Sequence, residues 1–147
     1  MALAFILSPL LIIGIGALML MLAEAFGPKH NRAAGLALGS TIVFGAGFAF
    51  SVGTWLYGVE DIPERELLAP WLVIDRFSLF FDGLLCLGGA LASLLAGGYL
   101  REHEMERGEF YSLMLFSTIG AMMVAAAGDA LIVFLGLETM SLGAYAL

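Results

Sequence analysis

Long runs of apolar residues, separated by short polar breaks, account for most of the chain. Five runs stand out: Ala2 to Ala23, Ala33 to Tyr57, Phe77 to Leu100, Phe110 to Gly128 and Ala130 to Leu147. Each has about the 18 residues or more that mark a candidate membrane span. Backbone groups inside lipid must bond to one another, so the runs predict helices. The fold class expected is all-α integral membrane, with about five transmembrane helices in one membrane domain.

The breaks set the connectivity. Gly128-Asp129 is too short for anything but a turn, so the fourth and fifth spans form an antiparallel hairpin, and Asp129 is placed to cap the fifth helix. The long break, Gly58 to Arg76, holds Pro63, Pro70 and the acids Glu60, Asp61, Glu64 and Glu66. Proline disfavours a helix there. The apolar stretch Trp71-Leu72-Val73-Ile74 predicts an extended segment packed on helix ends. Small residues recur in the second span, from Gly35-x-x-x-Gly39 through Gly45, Gly47 and Gly53. They predict close helix packing inside a larger bundle.

Composition agrees: the chain is 61% hydrophobic and 13% charged, against about 25% charged for soluble domains. Its net charge of −7 sits largely in short connections and offers too few cations to grip a phosphate backbone, so no nucleic-acid partner is expected. Lys29, Arg32, Arg101 and Arg107 fall on one side of the membrane, and Arg65 and Arg76 on the other. That asymmetry predicts the first side as cytoplasmic and the N-terminus as outside. No basic residue precedes the first apolar run, which is read as a retained span and not a signal peptide. Cys86 is the one cysteine and reads as a small core residue. Neither His30 nor His103 has neighbours at metal-ligand spacing, and no metal site is expected.

One residue breaks the pattern from within. Glu138 lies inside the fifth run, about 12 Å from Ala130 at 1.5 Å per residue, near the middle of a hydrocarbon core about 30 Å thick. An ionised carboxylate at that depth costs on the order of 3 kcal/mol or more unless it meets a cation, water or a proton. Its helical stripe contains Leu131, Phe134, Leu135, Ser141, Leu142 and Tyr145. No Lys follows Lys29, and every Arg is predicted at a membrane surface. The chain therefore lacks a cation for Glu138. Asp82, about five residues into the third run and close to the outer surface, could rim an ion pathway or face headgroup water, and the second reading is preferred. Glu24, at the end of the first run, is read as solvated.

The stretch Phe110 to Leu147, and within it FLGLETMSLGAYAL from Phe134, resembles the N subunit of the proton-pumping NADH:quinone oxidoreductase of bacteria, complex I. VIDRFSLFFDGLL, from Val73 to Leu85, is similar to that family's entry into its third helix. Glu109-Phe110-Tyr111 resembles its entry into the fourth. Related antiporter-like subunits carry Trp just before the glutamate, where this chain has Leu137. The family often has Pro where this chain has Gly143, and no family role carries over to Asp82.

The resemblance implies the N-terminal part of an antiporter-like subunit, stopping before the central lysine-bearing helices. Glu138 would match the fifth-helix glutamate, a proton relay paired with a lysine further along the subunit. It further implies a non-redox membrane-arm subunit that couples electron transfer from NADH to quinone with proton translocation. Its partners would be the other membrane and peripheral subunits of complex I and the lipid bilayer. No cofactor is expected on this chain; NADH and quinone would be used by the complex. The location implied is the bacterial inner membrane, multi-pass, with a periplasmic N-terminus. The rival readings are a subunit of a multisubunit cation/proton antiporter and a structural membrane module.

Overall fold

A computed structural model describes residues 2–26, 32–58, 66–68, 70–102 and 108–146. Lys29, His30, Glu60, Asp61, Pro63, Glu64, Arg65, His103 and Arg107 lie outside them. Among the described residues six helices follow in order: α1 Ala2–Ile6, α2 Ser8–Phe26, α3 Arg32–Tyr57, α4 Arg76–Glu102, α5 Glu109–Ala125 and α6 Ala130–Ala146. The protein is an all-α membrane protein, and α2, α3 and α4 are long and apolar enough to cross a bilayer. The apolar helices α5 and α6 have 17 residues each, about 25 Å at 1.5 Å per residue.

The first apolar run divides into α1 and α2 at a proline. Pro9 has no N–H to give the Phe5 carbonyl, and the Ser8 hydroxyl donates to that oxygen instead, at 2.6 Å. A carbonyl left open would be costly in lipid. Around the break the helical ladder continues, with Leu7 N–H bonded to Leu3 and Leu11 N–H to Leu7.

The end of α3 and the start of α4 are set by local chemistry. Gly58, just past Tyr57, has φ 76°, a left-handed conformation that stops a helix at little cost only in glycine. Asp75 caps α4 in a reciprocal pair: its carboxylate accepts from Ser78 N–H at 2.8 Å, and its own N–H donates to Ser78 Oγ at 3.0 Å. This is a capping box with serine in place of the usual glutamate.

Between these ends the expected extended segment is present. Leu72 bridges Ala127 in antiparallel sense, Val73 N–H donates to the Ala126 carbonyl, and Gly128 N–H donates to that of Trp71, both at 2.8 Å. The segment thus satisfies the backbone at the tip of the α5–α6 hairpin. Ile74 packs beneath it on Ile6 and Leu79. Asp129 starts α6 through its backbone carbonyl, which accepts from Ile132 and Val133.

Two seams hold the bundle. In the first, α3 and α4 run antiparallel, and a side chain on Gly89 would collide with the Phe44 ring. One on Gly97 would lie 3.0 Å from Ala37 Cβ, and one on Gly47 would lie 2.9 Å from both Cys86 Sγ and Ile13. Thus α2 closes on α3 and α4 at the same level, around the buried cluster of Ile13, Ala17, Phe44, Cys86, Leu115 and Met122. Of the second span's glycines, Gly39 and Gly47 serve close packing, whereas Gly35, Gly45 and Gly53 have open space beside them. At the opposite end of the bundle Glu24 lies against Gly108, where a Cβ would come within 2.6 Å of its Oε1. That places a carboxylate at the N-terminus of α5, where the helix dipole favours it.

The second seam joins α5 to α6, backbone against backbone. A Cβ on Gly120 would collide with the Met140 amide nitrogen and lie 2.6 Å from the Gly136 carbonyl oxygen. One on Gly136 would lie 2.8 Å from the Gly120 oxygen, and one on Gly143 would lie 2.9 Å from the Leu113 oxygen. Ser117 Oγ donates across the seam to the Met140 carbonyl at 3.2 Å.

Candidate functional site: a carboxylate on an uncovered helix face

The α5–α6 seam decides where Glu138 points. Gly136 and Gly143 are buried against α5. Glu138 follows Gly136 by two residues, about 200° around the helix at 100° per residue. It therefore faces away from α5. The side chain is exposed, and so is most of its stripe: Leu131, Phe134, Leu135, Leu142 and Tyr145 are all uncovered, Tyr145 by 88%. Ser141, the other polar member of the stripe, is half-buried.

Two nearby hydroxyls, those of Thr139 and Ser117, are committed elsewhere. Thr139, next in sequence, donates to the Leu135 carbonyl one turn back at 2.8 Å. Ser117 bonds the Met140 carbonyl on the packed side. A groove of about 370 Å³ between α4 and the hairpin comes close to this region, lined by Phe77, Phe81, Leu85, Val124, Leu137 and Met140. Its walls are apolar and supply no proton donor.

A mid-helix carboxylate on a broad apolar face has two physical destinies. Facing hydrocarbon, it carries the full burial cost. Facing a further protein element, it can meet a cation or ordered water. The carboxylate sits on the exposed apolar face that runs from Leu131 to Tyr145.

Asp82 departs from the sequence expectation. It does not face headgroup water: it is 8% exposed, buried among the helices. The sequence gives its depth, not its direction, because direction depends on which side of α4 meets α3. Among the described residues no group of three or more His, Cys, Asp or Glu side chains is placed to hold a metal ion.

No family model matches the chain. Curated relatives match it along nearly its whole length. NADH-quinone oxidoreductase subunit N 1 of Sorangium cellulosum is 56% identical over 95% of this chain. Subunit N of Trichlorobacter lovleyi is 33% identical over 97%, and that of Myxococcus xanthus 33% identical over 96%. The chain belongs to the family of NADH-quinone oxidoreductase subunit N. It spans under a third of the length of these relatives: 29%, 28% and 26% in the same order.

Membership bears on the geometry in one way. About seven-tenths of each relative's length has no counterpart in this chain. The apolar face that carries Glu138 is left exposed by the described residues.

Proposed function

We propose that this chain is the N-terminal part of a non-redox membrane-arm subunit of NADH:quinone oxidoreductase, and that Glu138 relays protons in it. The observation that carries the proposal is the placement of Glu138 mid-span on a broad apolar face that the chain leaves uncovered. In this reading a later helix of the full subunit covers that face and brings a lysine to the carboxylate. Close opposite charges alter each other's proton affinity, so the two groups titrate as a pair. Separation of the pair favours a proton on Glu138, and its return favours release. Coupling to electron transfer then requires only that events elsewhere in the complex bias the distance between the two groups.

NADH and quinone are used by other parts of the complex in this reading, and this chain holds neither. The subunit sits in the bacterial inner membrane with its N-terminus periplasmic, as the distribution of Lys and Arg favours. Its partners are the other membrane and peripheral subunits and the surrounding lipid.

The test is Glu138→Gln in the full-length subunit within its native complex. Gln keeps the shape and removes the titration. Proton movement per NADH oxidised should fall while the subunit's level in the membrane holds. Unchanged pumping at a normal enzyme level would remove Glu138 from the relay. A collapse of the subunit's level would instead point to a fixed structural bond.

A further inference from the structure

The α3–α4 seam encloses a second carboxyl that the reading of Glu138 does not use. Asp82 lies six residues into α4 after Arg76, about 9 Å along the axis. Its Oδ1 is fully buried and has no hydrogen-bond partner. The Ser51 hydroxyl, on the facing helix, is in the same condition, with the residue 1% exposed. The seam register brings the two to one level. A Cβ on Gly83, the residue after Asp82, would lie 3.9 Å from Ser51 Cβ and 3.8 Å from the Phe48 ring. One turn further along α4, Cys86 closes the site against Gly47 and Ile13.

Buried polar atoms in native proteins are almost always satisfied, and two orphans at one level of the same helix pair share one remedy. We propose that Asp82 is held as a neutral carboxylic acid that shares one internal water with Ser51, forming a protonation site between α3 and α4 that is separate from Glu138. The surroundings require the neutral form. Between Ala34 and Leu56, α3 has no charged or titratable residue. On α2 the one such residue is Glu24, near the far end; α1 has none, and α5 has Glu109 and Tyr111, at its start. On α4 itself the nearest titratable group is Cys86. An ionised Asp82 would thus face no cation on these helices and have at most the one Ser51 hydroxyl as donor, whereas the neutral acid leaves no uncompensated charge in the seam. The neutral acid has one donor and an acceptor. With the Ser51 hydroxyl it gives a water two or more partners, the number that buried waters keep.

The proposal is tested by infrared spectroscopy of the purified native complex, with aspartate ¹³C-labelled and the full-length subunit carrying either Asp82→Asn or Ser51→Ala. The difference between wild type and Asp82→Asn should contain the carbonyl band of a protonated carboxylic acid. That band should shift in Ser51→Ala. Asn is a neutral near-isostere, so the Asp82→Asn subunit should reach the wild-type level in the membrane. Loss of a carboxylate band instead would overturn the proposal, because Asp82 would then be ionised and paired. A carboxylic acid band that Ser51→Ala leaves in place would overturn the shared water. None of these outcomes depends on Glu138, and unchanged pumping in Glu138→Gln would leave them standing.

Discussion

Replacing Gly120 with alanine should weaken the subunit, although alanine is the better helix former. The added methyl meets backbone, not a flexible side chain: the Met140 amide nitrogen in collision and the Gly136 carbonyl oxygen at 2.6 Å. Neither atom can turn aside, so α5 and α6 must separate by several tenths of an ångström along their length. Overpacking of this kind costs about 1–3 kcal/mol, and separation also loosens the contacts at Gly136 and Gly143. Alanine returns at most about 1 kcal/mol through helix propensity. Gly88 supplies the control, since a Cβ there meets nothing within 4 Å. Gly88→Ala shares the propensity gain and lacks the collision. The difference between the two variants therefore isolates packing, at about 1–3 kcal/mol, or roughly 5- to 150-fold in the folding equilibrium. Detergent-titrated unfolding of the full-length subunit measures that difference. If Gly120→Ala proves as stable as Gly88→Ala, the backbone contact is not as close as described, and the outward direction of Glu138 loses its support.

Three further outcomes follow from local contacts. Asp75→Ala removes the carboxylate that accepts from Ser78 N–H and should cost about 1 kcal/mol, read as faster hydrogen exchange in the first turn of α4. Gly58→Ala forces a side chain into φ 76° and should cost about 1 kcal/mol, seen as a lower thermal midpoint of the full-length subunit. Phe44→Ala empties the centre of the α2–α3–α4 cluster. Its cost should fall below the roughly 3–5 kcal/mol of a soluble core, because lipid offers no hydrophobic drive between helices; a loss at or above that range in the same unfolding assay would contradict this.

Much of this arrangement was legible in the sequence. Run lengths place the helices because lipid allows few alternatives to them. The two-residue turn at Gly128-Asp129 makes the hairpin, and a lone acid in an apolar run marks Glu138 whatever the fold. What stayed hidden depends on which sides of the helices meet. Asp82 reads as facing headgroups from its depth, and only the pairing of α4 with α3 turns it inward. The glycines that stand out in the sequence are those of the second span, yet the tightest backbone approach involves Gly120, Gly136 and Gly143. A glycine's role depends on its opposite helix, which spacing along one helix does not reveal. The break at Pro9 could have been foreseen, since Ser8 beside it is a residue able to bond the carbonyl that proline leaves open.

The two intramembrane carboxyls illustrate opposite solutions to one cost. Asp82 is enclosed by helices of this chain, at a level where α3 presents a hydroxyl and no charge. Such a site suits a proton that stays. Glu138 is turned outward by a seam of glycines that brings α5 and α6 together on the opposite side. Had the seam used large residues, α6 would stand further from α5 and could rotate, and the carboxylate would have no fixed direction. Close backbone packing thus does more than stabilise the hairpin. It presents a titratable group at a fixed angle on a face wide enough for another helix. In the proposed reading a further helix brings a cation to that face, and a group set from outside can be switched from outside. This is why the stability of Gly120→Ala and the pumping of Glu138→Gln should be linked: partial loosening of the seam should lower pumping even where the glutamate is intact.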